Sequence, residues 1–451
     1  MRILSVCVVF LGLVSASAAP LKIATFEADV TPPIGAPLCN GNISPVKKIV
    51  APLSARGVVL VGSGRPIVLC SFDWVGIGNA AHDDYRERLA KAVGTSADRV
   101  TVHTIHQHDA PAADYSVEEL IKTIGLGGYM FDPEFARAAI ADVAKAARAS
   151  LKKAQPVTHV GVGKGRVEKV ASNRRILGGN GRVKIVRFSS SRNPAAIAAP
   201  EGVIDPFVEL VSFWNGDQPL ASITHYATHP QSYYGKGGVN PDFPGMARGI
   251  MEKEVPAAAH IHFAGAGGNV GAGKYNDGSP ERRPLLAARL AKGMKLAWTS
   301  QKKTKIDSDD IGWSYVPLSL PVRDTITEES RGKVLLNEKE KDRNRVFAAR
   351  DLVFLRRTKA GHKININCLR VGSARIVYMP GELFVEYQLA AQKMRPDLFV
   401  TMAAYGQYAP GYIGTKISYS QGGYETGRVS RVAPEVEELL LKTMRSLLAI
   451  E

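Results

Sequence analysis

Ten histidines are present, and three of them, His103, His106 and His108, fall in one short stretch, TVHTIHQHDAP. The residues before them are rich in β-branched types, so the stretch reads as the end of a strand. Residues two apart on a strand face the same side. His106 and His108 therefore point into one site at the carboxyl end of a sheet, where α/β proteins place ligands, and His103 points the other way. A second pair, His225 and His229, ends another β-rich run in THYATHPQS. Zinc and similar metals favour imidazole and draw ligands from separate chain segments. A structural reading stays open beside this one. Histidines at strand ends also serve as core or surface residues, and His260 and His262 repeat the same alternation without further sign of chemistry.

The elements that must position these residues alternate between strand and helix. Runs over 58–61 and 67–72 read as strands joined by Gly62-Ser63-Gly64, a helix over 81–93 stops at Gly94, and a strand spans 99–105. This strand–helix–strand order predicts a parallel pairing. Ser116 with Glu119 reads as a capping box, and Asp132-Pro133 opens an Ala-rich helix to about residue 153. Asn215-Gly216 joins two strands in a hairpin. Helices over 244–254 and 284–299 flank a strand over 261–264. Residues 301–362 are charged and irregular, with a helix near 333–350, and read as an excursion or lid. Strands over 364–370, 375–378 and 398–404 and helices over 382–394 and 433–448 complete an α/β fold of mixed sheets with flanking helices, with the candidate metal site at strand ends.

The chain has 451 residues, 45% hydrophobic and 22% charged, the composition of a globular protein with a sizeable core. Arg2, an apolar run over 3–14 and small residues from Ser15 to Ala19 form the three parts of a signal peptide, residues 1–18, cut after Ala18. That implies secretion or a periplasmic location, with the mature domain over 19–451. The run is too short to span a bilayer. Cys7 leaves with the signal; Cys39, Cys70 and Cys368 allow at most one internal disulfide and include no C-x-x-C pair, which argues against thiolate-bound zinc. The net charge of +16 is spread along the chain without interleaved aromatics. It fits attraction to acidic surfaces, such as an anionic membrane, rather than nucleic-acid recognition.

Taken together, the segments DVTPPIG (Asp29 to Gly35), IHQHDAP, ASNRR (Ala171 to Arg175), HYATHP, MPGELF and GYIGTKISYSQGGYE occur in an order that resembles the neutral/alkaline non-lysosomal ceramidases. The resemblance runs from about residue 22 to the end of the chain. It implies a zinc amidohydrolase that cleaves ceramide into sphingosine and a fatty acid, using metal-activated water. Carried over position by position, it implies His106, His229, Glu382 and Tyr412 as zinc ligands. His108, Arg174 and Tyr424 would then surround the scissile carbonyl. The chemistry is coherent: two imidazoles and a carboxylate are a common catalytic zinc set, and a cation favours a deprotonated phenol. Taken alone, Glu382 after Pro380-Gly381 is equally an acid at a helix start, and Arg174-Arg175 is equally a solvated pair.

Two departures stand out. The family's glycine–aspartate–hydrophobic–serine–proline–asparagine turn is here Gly268-Asn269-Val270-Gly271-Ala272, without the acid or the serine. The immunoglobulin-like C-terminal domain usual in the family is expected to be absent. The readings that compete with ceramide hydrolysis are a zinc amidase for another N-acylated small molecule or lipid, and a non-catalytic secreted lipid-binding protein.

Overall fold

Successive residues along the strands are buried in different clusters, and this decides which layers meet. In the computed structural model, which describes residues 20–62 and 64–449, Val58 and Leu60 pack in one cluster while Val59 packs in another. A strand buried on both faces must lie between two layers. The expected signal peptide lies outside the described residues.

Three larger sheets carry this pattern. The first orders Val100–Thr104, Gly64–Phe72, Ser54–Gly62, Lys22–Asp29 and Gln155–Pro156. The second orders Ala259–Ala264, Gln218–Tyr226, Phe207–Asn215, His159–Arg166 and Lys302–Lys305. The third orders Ile311–Leu318, Ile364–Val371, Ala374–Tyr378 and Phe399–Ala403. Each sheet is antiparallel apart from one parallel pair at an edge. All three contribute to one central cluster, through Val58 and Leu69, Val211 and Ile261, and Leu369 and Ile376.

Helices cover the outer faces. Asn79–Val93 and Pro133–Ser150 pack outside the first sheet, Asp242–Glu254 and Arg282–Ser300 outside the second, and Val385–Met394 and Val436–Leu448 outside the third. Gly94 caps the first of these in the left-handed conformation expected of a C-terminal glycine. Asp132 accepts bonds from the backbone of Glu134 and Phe135, with Pro133 opening the helix. Among the described residues no helix is long and apolar enough to cross a membrane.

Two local expectations differ from the structure. The helix Tyr115–Lys122 is capped by Asp114, which accepts from the Val117 backbone, not by Ser116 with Glu119. Asp114 also holds the Asn79 amide at 2.8 Å, so this carboxylate links two helix starts, while the Ser116 hydroxyl accepts from Ala80 instead. The stretch 301–362, read as irregular, holds strands Lys302–Lys305 and Ile311–Leu318 and helices Glu328–Leu336 and Asp342–Lys359. Its charge hid the pattern: the last helix buries Arg345, Arg350 and Asp351, so apolar periodicity alone underreads it.

Helix Arg282–Ser300 lies unusually close to strand His159–Arg166. A Cβ on Gly163 would collide with the Ala297 carbonyl, and one on Gly165 with the Gly293 carbonyl. The HVGVGKGR alternation thus puts glycine on the helix side and valine on the core side. We expect Gly165→Val to lower stability by about 1–3 kcal/mol, the usual cost of overpacking, in reversible denaturation. An unchanged melting midpoint would show that the helix can move away freely.

Candidate metal centre and its cavity

The carboxyl ends of four strands meet at one place. His106 follows Val100–Thr104, His229 follows Gln218–Tyr226, Glu382 follows Ala374–Tyr378, and Tyr405, Tyr408 and Tyr412 follow Phe399–Ala403. Backbone hydrogen bonds tie these ends across sheets. The Thr104 amide donates to Tyr405 at 3.1 Å and the Ala404 amide to Ala264 at 2.9 Å. His106 is no longer in a strand; its φ is +65°. Strand alternation therefore led to the right pair by a wrong route. A left-handed residue turns the chain so that the His106 and His108 rings meet at 4.7 Å. His103 packs between Phe263 and Tyr378 in the core.

Hydrogen bonds set which histidine nitrogen faces the site. Nδ1 of His106 lies 2.7 Å from the Val75 carbonyl, and Nδ1 of His229 lies 2.8 Å from the Gly267 carbonyl. A carbonyl only accepts, so Nδ1 carries the proton and Nε2 presents a lone pair inward. Those Nε2 atoms lie 3.2 Å and 3.3 Å from one oxygen of Glu382. His106 Nε2 and Glu382 Oε2 are buried with no hydrogen-bond partner. The Tyr412 hydroxyl stands 3.2 Å from His229 Nε2 and accepts from Arg174 Nη1 at 3.1 Å.

This donor set fits a cation. Ligand atoms held tetrahedrally at about 2.0–2.2 Å from one zinc ion sit roughly 3.3–3.6 Å from each other, close to the separations seen. Electron-rich atoms packed together out of water need a proton or a metal between them. His106, His108 and His229 also bring one ring nitrogen each within 4.8 Å of one another. The Glu382 carboxylate lies 3.2 Å and 3.3 Å from His106 and His229, so it can join these two imidazoles around one ion.

Burial disfavours the cationic form of two of the three rings. Burial pushes His229 down to about 4, with Glu382 opposing, and holds His108 well below the ordinary histidine value. Burial raises the Glu382 carboxyl, but His106 and His229 outweigh it and hold the group well below the usual range. Burial raises the Tyr412 phenol, with Arg174 pulling the other way.

The glycine-rich loop after strand Ala259–Ala264 explains how the ligand segments come so close. The Gly268 amide donates to Leu383 at 2.8 Å, and the His229 amide to Val270 at 2.9 Å. A Cβ on Gly268 would collide with the Glu382 carbonyl, and one on Gly267 would press on the Thr228 backbone. Asn269 uses both ends of its amide, accepting from the Val385 amide and donating to Glu386. It anchors the start of the helix Val385–Met394. Gly271 pairs with Ser172 in a two-residue ladder, with Ser189 beside it.

A cavity of about 380 Å³ opens over the centre, lined by His106, His108, Arg174, Glu382, Tyr412 and Tyr424. Arg174 is buried and pairs with Glu425 at 3.2 Å; Arg175 pairs with the other oxygen of Glu425. The double arginine is thus an internal brace. Burial opposes the Arg174 charge, but Tyr412 and Glu425 outweigh it and raise the group above its ordinary value. The Tyr424 ring stands edge-on to Tyr412 at 5.7 Å and is 42% exposed, so it faces both the centre and solvent.

All seven residues singled out from the sequence meet here, though Glu382 is not at a helix start. It lies in a two-residue strand paired in parallel with Tyr412–Ile413, and the helix begins at Val385. His225 stacks on Phe263 at 5.6 Å, and His260 and His262 bond to Val255 and Thr224, so none of these joins the site. Sequence reasoning missed Tyr405, which stacks on His106 at 4.6 Å, and Glu425, whose one signal was its place beside Tyr424. Cys39, Cys70 and Cys368 are free thiols.

No protein-family model and no curated protein matches the chain. Solved structures do. A structure titled as a ceramidase complexed with C2 aligns with a TM-score of 0.71 at 18% identity, over 95% of this chain and 75% of the other. A neutral ceramidase from Pseudomonas aeruginosa aligns at 0.70 and 18%, over 96% and 75%. The chain has the fold of the neutral ceramidases.

If Gly268 is what lets Glu382 approach the histidines, Gly268→Ala should cut zinc content per folded chain well below the parent's, as read by elemental analysis. Full zinc occupancy in that variant would mean that the loop yields without moving the carboxylate.

Proposed function

We propose that the chain is a ceramidase-like, metal-dependent amidohydrolase that cleaves the N-acyl amide bond of ceramide or a related N-acylated lipid. The observation that carries this reading is the close approach of His106 Nε2, His229 Nε2 and Glu382 Oε2, at 3.2–3.3 Å, beneath an open cavity. Zinc is the metal this donor set suits best, with Tyr412 as a fourth ligand. When bound, such an ion polarises a carbonyl and brings the pKa of water to about 7.

The chain's own residues supply the remainder. Arg174 is fixed by Glu425 and Tyr412, so its charge is preorganised rather than recruited. With the Tyr424 phenol it is placed to hold negative charge developing on the amide oxygen. His108 Nδ1 is buried without a partner, and burial keeps the ring neutral. It can accept a proton from the attacking water and pass it to the leaving amine. Tyr405 holds the His106 ring face to face.

Export belongs to the same proposal. Arg2, the apolar run over 3–14 and the small residues before Ala19 support cleavage after Ala18.

The two histidines of IHQH separate ligand from catalyst. His106→Ala should lose zinc and amidase activity together. His108→Ala should keep zinc and lose turnover by about 10²–10⁴-fold, as acid–base groups do. The assay is zinc content beside fatty-acid release from an N-acyl substrate. Equal zinc loss in both variants would make His108 a ligand, and zinc binding without turnover in the parent protein would remove the amidase reading.

A further inference from the structure

One wall of the cavity is built by the helix Asp342–Lys359. Arg343, Phe347 and Arg350 line the cavity, and their spacing puts them on one helix face. Arg431 lines it from the segment after Gly411 and Val429. The lining thus holds Arg174, Arg343, Arg350 and Arg431 against one acid, Glu382, which the metal centre occupies.

Some of this charge is answered from behind. Glu425 serves Arg174, and Asp351 meets Arg431 at 2.9 Å while also pairing with Arg331. Among the described residues, Arg343 and Arg350 form no ion pair. Arg350 lies over the rings of Phe347 and Tyr408, at 5.6 Å and 5.3 Å, and Arg343 over Phe347 at 6.0 Å. Arg428 also covers Phe347, at 4.4 Å. Several guanidinium groups therefore gather around one ring, which like-charge repulsion opposes. Arg431 Nη2 is buried without a hydrogen-bond partner. Burial, with Arg350 next, pushes Arg431 down to about 10.

The place of this wall relative to the metal centre matters. The Tyr408 ring lies 5.3 Å from the Arg350 guanidinium and 5.6 Å from the His106 ring. One aromatic ring therefore separates the arginine wall from a metal-facing histidine. A group bound by Arg350 would then lie about one ring's breadth from an amide held over the centre, with Arg343 on the same helix face lining the same cavity. Against burial, Tyr408, Asp114 and Asp351 support the Arg350 charge, but within the cavity lining a neutral ceramide headgroup would add only hydroxyls beside the arginines. Planar guanidinium groups match carboxylate and phosphate oxygens.

We infer that the cavity selects N-acyl compounds bearing an anionic group, a carboxylate or a phosphate, within a few bonds of the amide, and that Arg343 and Arg350 recognise that group. This rests on the amidase reading above and narrows its substrate class.

The test compares amides that differ in one group. N-dodecanoylglycine, N-dodecanoylethanolamine and the phosphate ester of the latter present a carboxylate, a hydroxyl and a phosphate. With the zinc-loaded protein, kcat/KM for at least one anionic compound should exceed that for the neutral one by about tenfold or more, since a charge-assisted hydrogen bond contributes that much. Whichever anion is favoured identifies the group. Arg343→Gln and Arg350→Gln should each lower the anionic-to-neutral ratio. Arg343 is exposed, so its variant tests the idea even if the buried Arg350 variant fails to fold. A ratio near one in the parent protein, or a ratio unmoved by Arg343→Gln, overturns the inference while leaving amide hydrolysis intact. Calorimetry of dodecanoate against dodecanol on parent and variants separates the two readings. If no amide is cleaved but dodecanoate binding still weakens in Arg343→Gln, the amidase reading fails and anion recognition stands. If dodecanoate binds parent and variant alike, anion recognition fails whatever the turnover.

Discussion

The structure turns on a carboxylate that has no cation of its own. Glu382 is buried between two imidazoles that face it with lone pairs, and its Oε2 has no hydrogen-bond partner. Leaving a charged group unpaired away from water costs several kcal/mol on an order-of-magnitude scale. Arg174 forms no ion pair with it; the Nε and Nη1 of Arg174 go to Glu425, Tyr412 and the Gly268 carbonyl. The surroundings make sense as a means of holding this arrangement until a cation completes it. Val75 and Gly267 fix the histidine tautomers, Tyr405 fixes one ring, and Tyr412 covers the other.

The same constraint explains why three sheets end together. Ligands from four segments can converge only if the backbones carrying them nearly touch. Side chains at those contacts would hold the segments apart, so the loop 265–268 carries glycine at Gly265, Gly267 and Gly268, each against the backbone or side chain of a neighbouring site segment. Hydrogen bonds such as Ala404 to Ala264 and Thr104 to Tyr405 then join sheets that share no ladder. The central cluster of Leu369, Ile223 and Val58 lies between the sheets. Packing there and geometry at the site are one problem.

Sequence reasoning reached the ligand segments because histidines at strand ends leave a visible mark, and because short motifs stand in a recognisable order. It reached His106 and His108 through strand alternation, although His106 has left the strand and turns on a positive φ. It could not read Glu382 correctly from local signals. An acid after Pro-Gly and before a helix looks like an N-terminal acid, and only the pairing with Tyr412 thirty residues later shows otherwise. Glu425 and Asp351 were invisible for a related reason. Their roles come from arginines far away in sequence. The helix Asp342–Lys359 was underread because it buries charge in place of apolar residues.

That helix also separates what the fold fixes from what it leaves free. The metal-facing residues sit at strand ends, where any shift would disturb three sheets at once. The arginine wall sits on a helix packed over the mouth of the cavity, and its side chains contact Phe347 and Tyr408 rather than the ligand set. Substitutions on such a helix can change the charge of the cavity without moving His106, His229 or Glu382. A fold shared at 18% identity fixes the backbone and leaves the charge of the cavity wall to this chain's own residues. Backbone convergence brings His106, His229 and Glu382 together, whereas the charge of the cavity wall comes from side chains on one helix face.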